Sequence, residues 1–197
     1  MIVKNNKLII TNFLNQNAFN SIKELLLDET VPWLYNSGVN MPNAADYQFV
    51  HGIWSASASA IPTSLDIWNS MSPILTYLEP SVLLKIKANL RTKTNKIEES
   101  DYHCDIVIPG SLTAIFYINT CDGYTKFKDG DKIKSVENTL IVFPSNLHHL
   151  GTTCTDEKRR VLININFIPN LKSKLASMVY SDVDKTYITQ WIEKCEY

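Results

Sequence analysis

An excess of charge of one sign is missing from this chain: its 197 residues carry 19 Lys and Arg against 20 Asp and Glu. Without a basic footprint there is nothing to concentrate it on nucleic acid or an anionic membrane, which leaves a small neutral or acidic partner open. The four cysteines, Cys104, Cys121, Cys154 and Cys195, form no C-x-x-C pair. They read as reduced thiols of a cytoplasmic protein, and the N-terminal MIVKNNKLII is too short and too polar for a signal peptide. Long hydrophobic runs are lacking too. The longest, such as LTAIFYI, are of strand length and fall far short of the roughly 20 residues that span a bilayer. No repeat, linker or low-complexity tract divides the chain, so residues 1–197 are expected to form one domain, with 45% hydrophobic residues to supply its core. Composition leaves the oligomeric state open.

What is present changes character at Pro80. Before it, apolar residues recur at helical spacing over 20–29 (Ile22, Leu25, Leu26) and 64–79 (Ile67, Met71, Ile74, Leu75, Leu78), with Asn20 and Ser64 as N-caps. KLIIT (7–11), VPWLY (31–35) and QFVHGIWS (48–55) read as extended. After Pro80 come short strands broken by Gly, Asn and Asp: VLLKIKANL (82–90), HCDIVI (103–108), LTAIFYIN (112–119), YTKFK (124–128), NTLIVF (138–143) and RRVLININF (159–167). That pattern predicts a β-sandwich or barrel over residues 81–168, supported by helices and strands of 1–80. Residues 169–197 close the chain with a helix, DVDKTYITQWIEKCEY, capped by Asp182 or Asp184.

In the strand expected at 103–108, His103 and Asp105 stand two apart and share a face, as two ligands of one metal would. A lone H-x-D is weak evidence, since a histidine and an aspartate at the start of a strand are ordinarily solvated. FPSNLHHLGTTCTDEKRRVLININF strengthens it: a strand ends at a turn, histidines follow, and about ten residues later an arginine opens the next strand. Two histidines and one carboxylate with open positions left on the metal are characteristic of non-haem Fe(II) oxygenases.

Here the chain resembles the 2-oxoglutarate- and Fe(II)-dependent dioxygenases of the prolyl-4-hydroxylase-like branch, in particular its short phage-type members. The resemblance covers residues 82–167 well and the N-terminal third more loosely. KANL, YHCD, LTAIFYIN, GYTKF, FPSNLHH and RRVLININF arrive in the family's order. It implies a double-stranded β-helix, or jelly roll, and an enzyme that uses Fe(II), 2-oxoglutarate and O₂ to hydroxylate a prolyl residue, an amino acid or another small metabolite, releasing succinate and CO₂.

Carried over residue by residue, the resemblance makes His103, Asp105 and His149 the iron ligands, His149 being the histidine six positions after Phe143, with His148 its neighbour on the other face. Asp105 implies hydroxylation, because related halogenases carry a small residue there. The distal carboxylate of 2-oxoglutarate suits a guanidinium fork, for which Arg159 and Arg160 are the candidates. Arg160 shares strand parity with Leu162, Asn164 and Asn166, a mixed row suited to a barrel interior, and opens the strand eight positions from Phe167, as in the family. Tyr117 matches the family's second contact to that carboxylate, and Thr125, beside Gly123, falls near the cosubstrate. Asn89 and Asn164 face the pocket by parity or tie the sheet together. The polar stretch 91–102 is a lid or a solvated connection, and Trp33, Tyr35, Trp54 and Tyr102 line a substrate groove or belong to the core. The rival reading is a silent, or 2-oxoglutarate-independent, cupin-type metal protein.

Overall fold

The computed structural model of the protein describes residues 1–38, 46–57, 64–170 and 172–180. Along them run β1 (Ile2–Lys4), β2 (Lys7–Ile10), α1 (Gln16–Leu27), β3 (Leu34–Asn36), β4 (Gln48–Ser55), α2 (Leu65–Ser70), α3 (Ser72–Leu78) and β5 (Pro80–Thr92). Then follow β6 (Leu112–Tyr117), β7 (Tyr124–Phe127), β8 (Lys132–Lys134), β9 (Thr139–Pro144), β10 (His149–Gly151), β11 (Arg159–Pro169) and α4 (Lys174–Val179). Eight strands form one antiparallel sheet in the order β1-β2-β9-β6-β11-β5-β4-β3, and β10-β7-β8 form a second.

Strand parity decides which side chains meet which layer. Ile86, Ala88 and Leu90 of β5, Leu112, Ala114 and Phe116 of β6, and Val161, Ile163, Ile165 and Phe167 of β11 join Phe19, Ile22 and Leu26 of α1 in one buried core. Each of these side chains larger than alanine contributes about 1.5–3 kcal/mol by leaving water. The other face carries Ile115, Tyr117, Ile141, Phe143 and Leu162, which pack against Phe127 of the small sheet. Phe127 and Phe143 meet edge to face, their centroids 4.9 Å apart. Mainly antiparallel strands with flanking helices give the jelly roll that the family resemblance implies.

Several elements differ from their expected form. The first helix begins at Gln16, where the Asn15 side chain accepts from the Ala18 amide, because the buried stripe reaches back to Phe19. Asn20 is therefore not a cap but sits within the helix, accepting from Gln16. Ser64 does cap its helix, accepting from the Ile67 amide. That helix divides at Met71, since Pro73 in the first turn of α3 has no amide hydrogen to continue the ladder. VPWLY yields only the three-residue β3. HCDIVI is not a strand: His103 alone pairs, in an isolated bridge to His149, and Val107 is 83% exposed. The expected closing helix at 182–197 lies outside the described residues.

Residues 93–100 run tied beside 151–154. Lys93 forms a bridge with Cys154 and Glu99 one with Thr152. The Thr94 amide donates to Cys154 O, the Thr153 amide to Glu98 O, and the Ser100 amide to Gly151 O. A segment expected to be a lid or a solvated connection is thus hydrogen-bonded along the rim. Among the described residues, no helix is long and apolar enough to cross a membrane.

Candidate active site

The pocket is built on the inward face of β11 and its neighbours. Asn164 lies opposite Lys87 of β5 and Ile115 of β6, Leu162 opposite Asn89 and Tyr117, and Arg160 opposite Arg91. His103, Asp105, Thr125 and the β10 residues His149, Leu150 and Gly151 complete a wall around roughly 540 Å³ of empty space, open mouth included.

One ligand atom from each of His103, Asp105 and His149 lies within 4.8 Å of the others. His103 Nε2 stands 3.8 Å from Asp105 Oδ1, and His149 Nε2 3.7 Å from Asp105 Oδ2. The opposite ring nitrogens face carbonyls: His103 Nδ1 is 3.3 Å from Asp101 O and His149 Nδ1 is 3.0 Å from Leu147 O. A carbonyl only accepts, so Nδ1 carries a hydrogen, the tautomer that directs the Nε2 lone pair of a neutral ring to the shared point. Burial, aided by nearby His149, lowers the His103 pKa against the opposing pull of Asp105, which keeps its imidazole neutral as a metal ligand must be. Burial alone would raise the Asp105 carboxyl, but His149, the Asn164 amide, Lys87 and His103 outweigh it and hold it below the usual carboxylate range. The two histidines are fixed to each other through reciprocal main-chain hydrogen bonds of 2.9 Å. Asp105 arrives on irregular chain and is held by Asn164 Nδ2 at 3.0 Å. His148, one residue away, is exposed, with Nδ1 3.3 Å from Cys104 Sγ.

Arg160 is 3% exposed. Its Nη2 donates to Thr125 Oγ1 at 3.2 Å, its Nη1 makes a long contact of 3.4 Å to Thr152 O, and its buried Nε has no hydrogen-bond partner. A guanidinium in a pocket with donors to spare suits an incoming carboxylate. Arg159 points the other way and donates to Leu27 O at the end of α1. Tyr117 is wholly buried and does not line the cavity; its ring lies under the Arg160 guanidinium, and its hydroxyl donates to Thr125 Oγ1 at 2.8 Å. Gly123 is required by its neighbours: a Cβ there would fall 2.7 Å from both Arg160 Cδ and Thr153 O.

Comparison with known structures follows this geometry. A prolyl hydroxylase from Trichoplax adhaerens, solved with a hypoxia inducible factor peptide fragment, superposes with a TM-score of 0.58 at 13% identity, over 90% of this chain and 89% of that one. A prolyl-4-hydroxylase from Pseudomonas putida gives 0.55 at 14% identity, over 84% and 93%. HygX from Streptomyces hygroscopicus, solved with nickel and 2-oxoglutarate, gives 0.55 at 11% identity, over 84% and 83%. The fold is that of the 2-oxoglutarate and Fe(II) oxygenases. No family model and no curated protein matches the sequence.

Within this oxygenase fold the pocket also contains residues that the sequence reading passed over, namely Gln48, Lys87, Arg91, Leu150 and Gly151. The signal for two of them was present, because Lys87, Asn89 and Arg91 alternate through KIKANLR and share Asn89's parity. Asn89 lines the pocket with its buried Oδ1 unpartnered, and Asn164 lines it while holding Asp105. Trp33 and Trp54 pack against the helix-side core, while Tyr35 and Tyr102 are exposed, so these aromatics form no common groove.

Proposed function

We propose that the protein is a 2-oxoglutarate- and Fe(II)-dependent dioxygenase that hydroxylates a small molecule or a peptide. The observation that carries this reading is the meeting, in one pocket, of the His103, Asp105 and His149 donor atoms with the incompletely bonded Arg160 guanidinium.

The residues fit both groups. Two imidazoles and a carboxylate are the donor set for iron, and the Arg160 fork, with Thr125 beside it, fits the distal carboxylate of 2-oxoglutarate. When bound, iron and 2-oxoglutarate together with O₂ supply the oxidising power: the keto acid is decarboxylated to succinate and CO₂ as hydroxyl is transferred to a C–H bond. The chain supplies placement. Asn164 fixes the rotation of the Asp105 carboxylate, the carbonyls of Asp101 and Leu147 set the histidine tautomers, and Ile115, Leu150 and Leu162 give the pocket an apolar lining that limits water. Asp105 occupies the position a halide would need, which favours hydroxylation over halogenation. Residues 81–168 hold the catalytic core, and 1–80 support it. Free Cys104, Cys121 and Cys154 suit a reducing cytoplasm.

Anaerobic titration with Fe(II) and then 2-oxoglutarate tests the reading. A weak visible charge-transfer band, followed under O₂ by succinate release with a substrate, is expected. Iron binding without any response to 2-oxoglutarate would favour the cupin-type alternative, to which the Arg160 arrangement is superfluous.

A further inference from the structure

Arg91 is an arginine the proposed chemistry leaves without a task. It is 7% exposed, lines the same pocket, and its buried Nε and Nη1 have no hydrogen-bond partner. The carboxylate beside it, Asp46, stands 3.7 Å from Nη1, at ion-pair range but outside hydrogen-bond length. In the β5–β11 ladder Arg91 is paired directly with Arg160. Like charges facing each other across an antiparallel pair destabilise it unless something negative lies between or beside them. Consistent with this crowding, the Arg91 guanidinium is held below its ordinary pKa, by burial first and by Arg160 in addition, against the pull of Asp46.

Four residues earlier on the same face, Lys87 also lines the pocket, opposite the asparagine that holds Asp105, and its ammonium makes no hydrogen bond among the described residues. Among the described residues the pocket therefore presents Lys87, Arg91 and Arg160, with Asp105 as its one lining carboxylate. The two charges of iron are matched by the two of 2-oxoglutarate, Asp105 offsets one basic side chain, and Asp46 accompanies a second. One positive charge is left in the pocket, where burial lowers the Lys87 pKa against the pull of Asp105.

We propose that the substrate carries an oxyanion, a carboxylate or a phosphate, which binds on the β5 wall between Arg91 and Lys87 while Arg160 holds 2-oxoglutarate. This rests on the dioxygenase reading and extends it to the class of substrate. The buried Arg91 Nε, without a hydrogen-bond partner, and Nη1, with only the 3.7 Å approach of Asp46, are donors that such a group would satisfy, and anchoring it four residues along the wall from Lys87 would orient the rest of the substrate across the iron-binding triad.

The test uses the full chain loaded with Mn(II), which does not turn over, and saturating 2-oxoglutarate. Calorimetry first measures 2-oxoglutarate binding in the wild type, R160Q, R91Q and K87Q. No binding in the wild type would overturn the dioxygenase reading itself. Proton line broadening by the bound Mn(II) then compares three probes at up to about 50 mM, a range that captures weak complexes: free L-amino acids, their C-terminal amides, and phosphoserine peptides blocked at both ends. Free amino acids broadened at least about fivefold more than their amides would assign a carboxylate, and phosphoserine peptides broadened over their unphosphorylated forms would assign a phosphate. Either result should fall about tenfold in R91Q and in K87Q, the loss expected of one charge-assisted contact, while 2-oxoglutarate affinity changes less than about threefold. R91K, which keeps the charge but not the fork, should recover part of the broadening and guards against misfolding of R91Q. The proposal is overturned if acids and amides broaden alike and phosphate adds nothing, if no anionic probe broadens, or if R91Q weakens 2-oxoglutarate as much as R160Q does, which would make Arg91 part of the cosubstrate anchor.

Discussion

Asn164 donates from Nδ2 to Asp105 Oδ2 at 3.0 Å, and so a residue on the central strand β11 steers a carboxylate that sits on irregular chain 59 positions earlier. Because the segment around Asp105 forms no ladder, this contact takes over the positioning that a strand would have supplied. Asn164→Ala is expected to weaken Fe(II) binding by about 10- to 100-fold, the usual cost of losing a group that orients a ligand. Asn164→Asp should be worse than Ala, since it sets a second negative charge against Asp105. Equilibrium titration of the two variants with Fe(II) or Mn(II) checks the order.

His149 and His148 are adjacent but face opposite ways, one into the pocket and one toward solvent. His149→Ala, like His103→Ala and Asp105→Ala, should abolish metal-dependent turnover, whereas His148→Ala should retain most of it. Metal content after dialysis, measured beside succinate release, distinguishes the two sets.

The arginine pair at the start of β11 should separate in the same manner. Arg160→Ala is expected to raise the 2-oxoglutarate KM at least about tenfold, in line with a charge-assisted contact of about 1.5–3 kcal/mol. Arg159→Ala should leave KM nearly unchanged and instead lower Tm by about 2–4 °C, because Arg159 satisfies a carbonyl at the end of α1. A KM effect from Arg159 and none from Arg160 would reverse the facing of the strand.

Gly123→Ala tests the support beneath the anchor. The added Cβ collides with the Thr153 carbonyl as well as with the Arg160 side chain, and backbone cannot swing aside as a side chain can. The expected result is a 2-oxoglutarate affinity reduced about tenfold, comparable to losing the contact itself, with Fe(II) affinity nearly intact. Equal losses of both would indicate a general disturbance of the small sheet.

These residues also show what was legible in the sequence. Parity along RRVLININF separated Arg160 from Arg159 because eleven residues of β11 give the alternation room to repeat. The three-residue strands β1, β8 and β10 allow no such repetition and were not visible as strands. H-x-D was correctly placed beside a histidine, yet the strand drawn through it does not exist: apolar, β-branched residues at 106–108 suggested pairing, and only tertiary structure decides whether a partner edge is there. Lys87 and Arg91 were missed for a different reason, since a basic residue alternating along a strand more often faces water than a pocket.

Acid stability has its own marker in the turn between β7 and β8. Hydrogen bonds from Lys4 and then Lys7 hold the Asp131 carboxyl well below its ordinary range. A carboxylate depressed in the folded state stabilises it fully above the unfolded value of about 3.9, and that contribution is lost progressively as pH falls from there through the folded value. Asp131→Asn should therefore be less stable than the wild type at pH 6, with the gap beginning to narrow below about pH 4 and closing only as pH falls through the depressed folded value, as followed by urea midpoints at each pH.

The isolated bridge between His103 and His149 has a meaning in coordination chemistry. Two imidazoles, 46 residues apart in sequence, are set side by side by main-chain bonds that owe nothing to an ion. The pair is accordingly a preformed bidentate chelator, and Asn164 holds the third arm, Asp105, with one carboxylate oxygen 3.8 Å from His103 Nε2 and the other 3.7 Å from His149 Nε2. Most of the chelate effect is then built into folding, so that one divalent ion replaces another without moving the main chain.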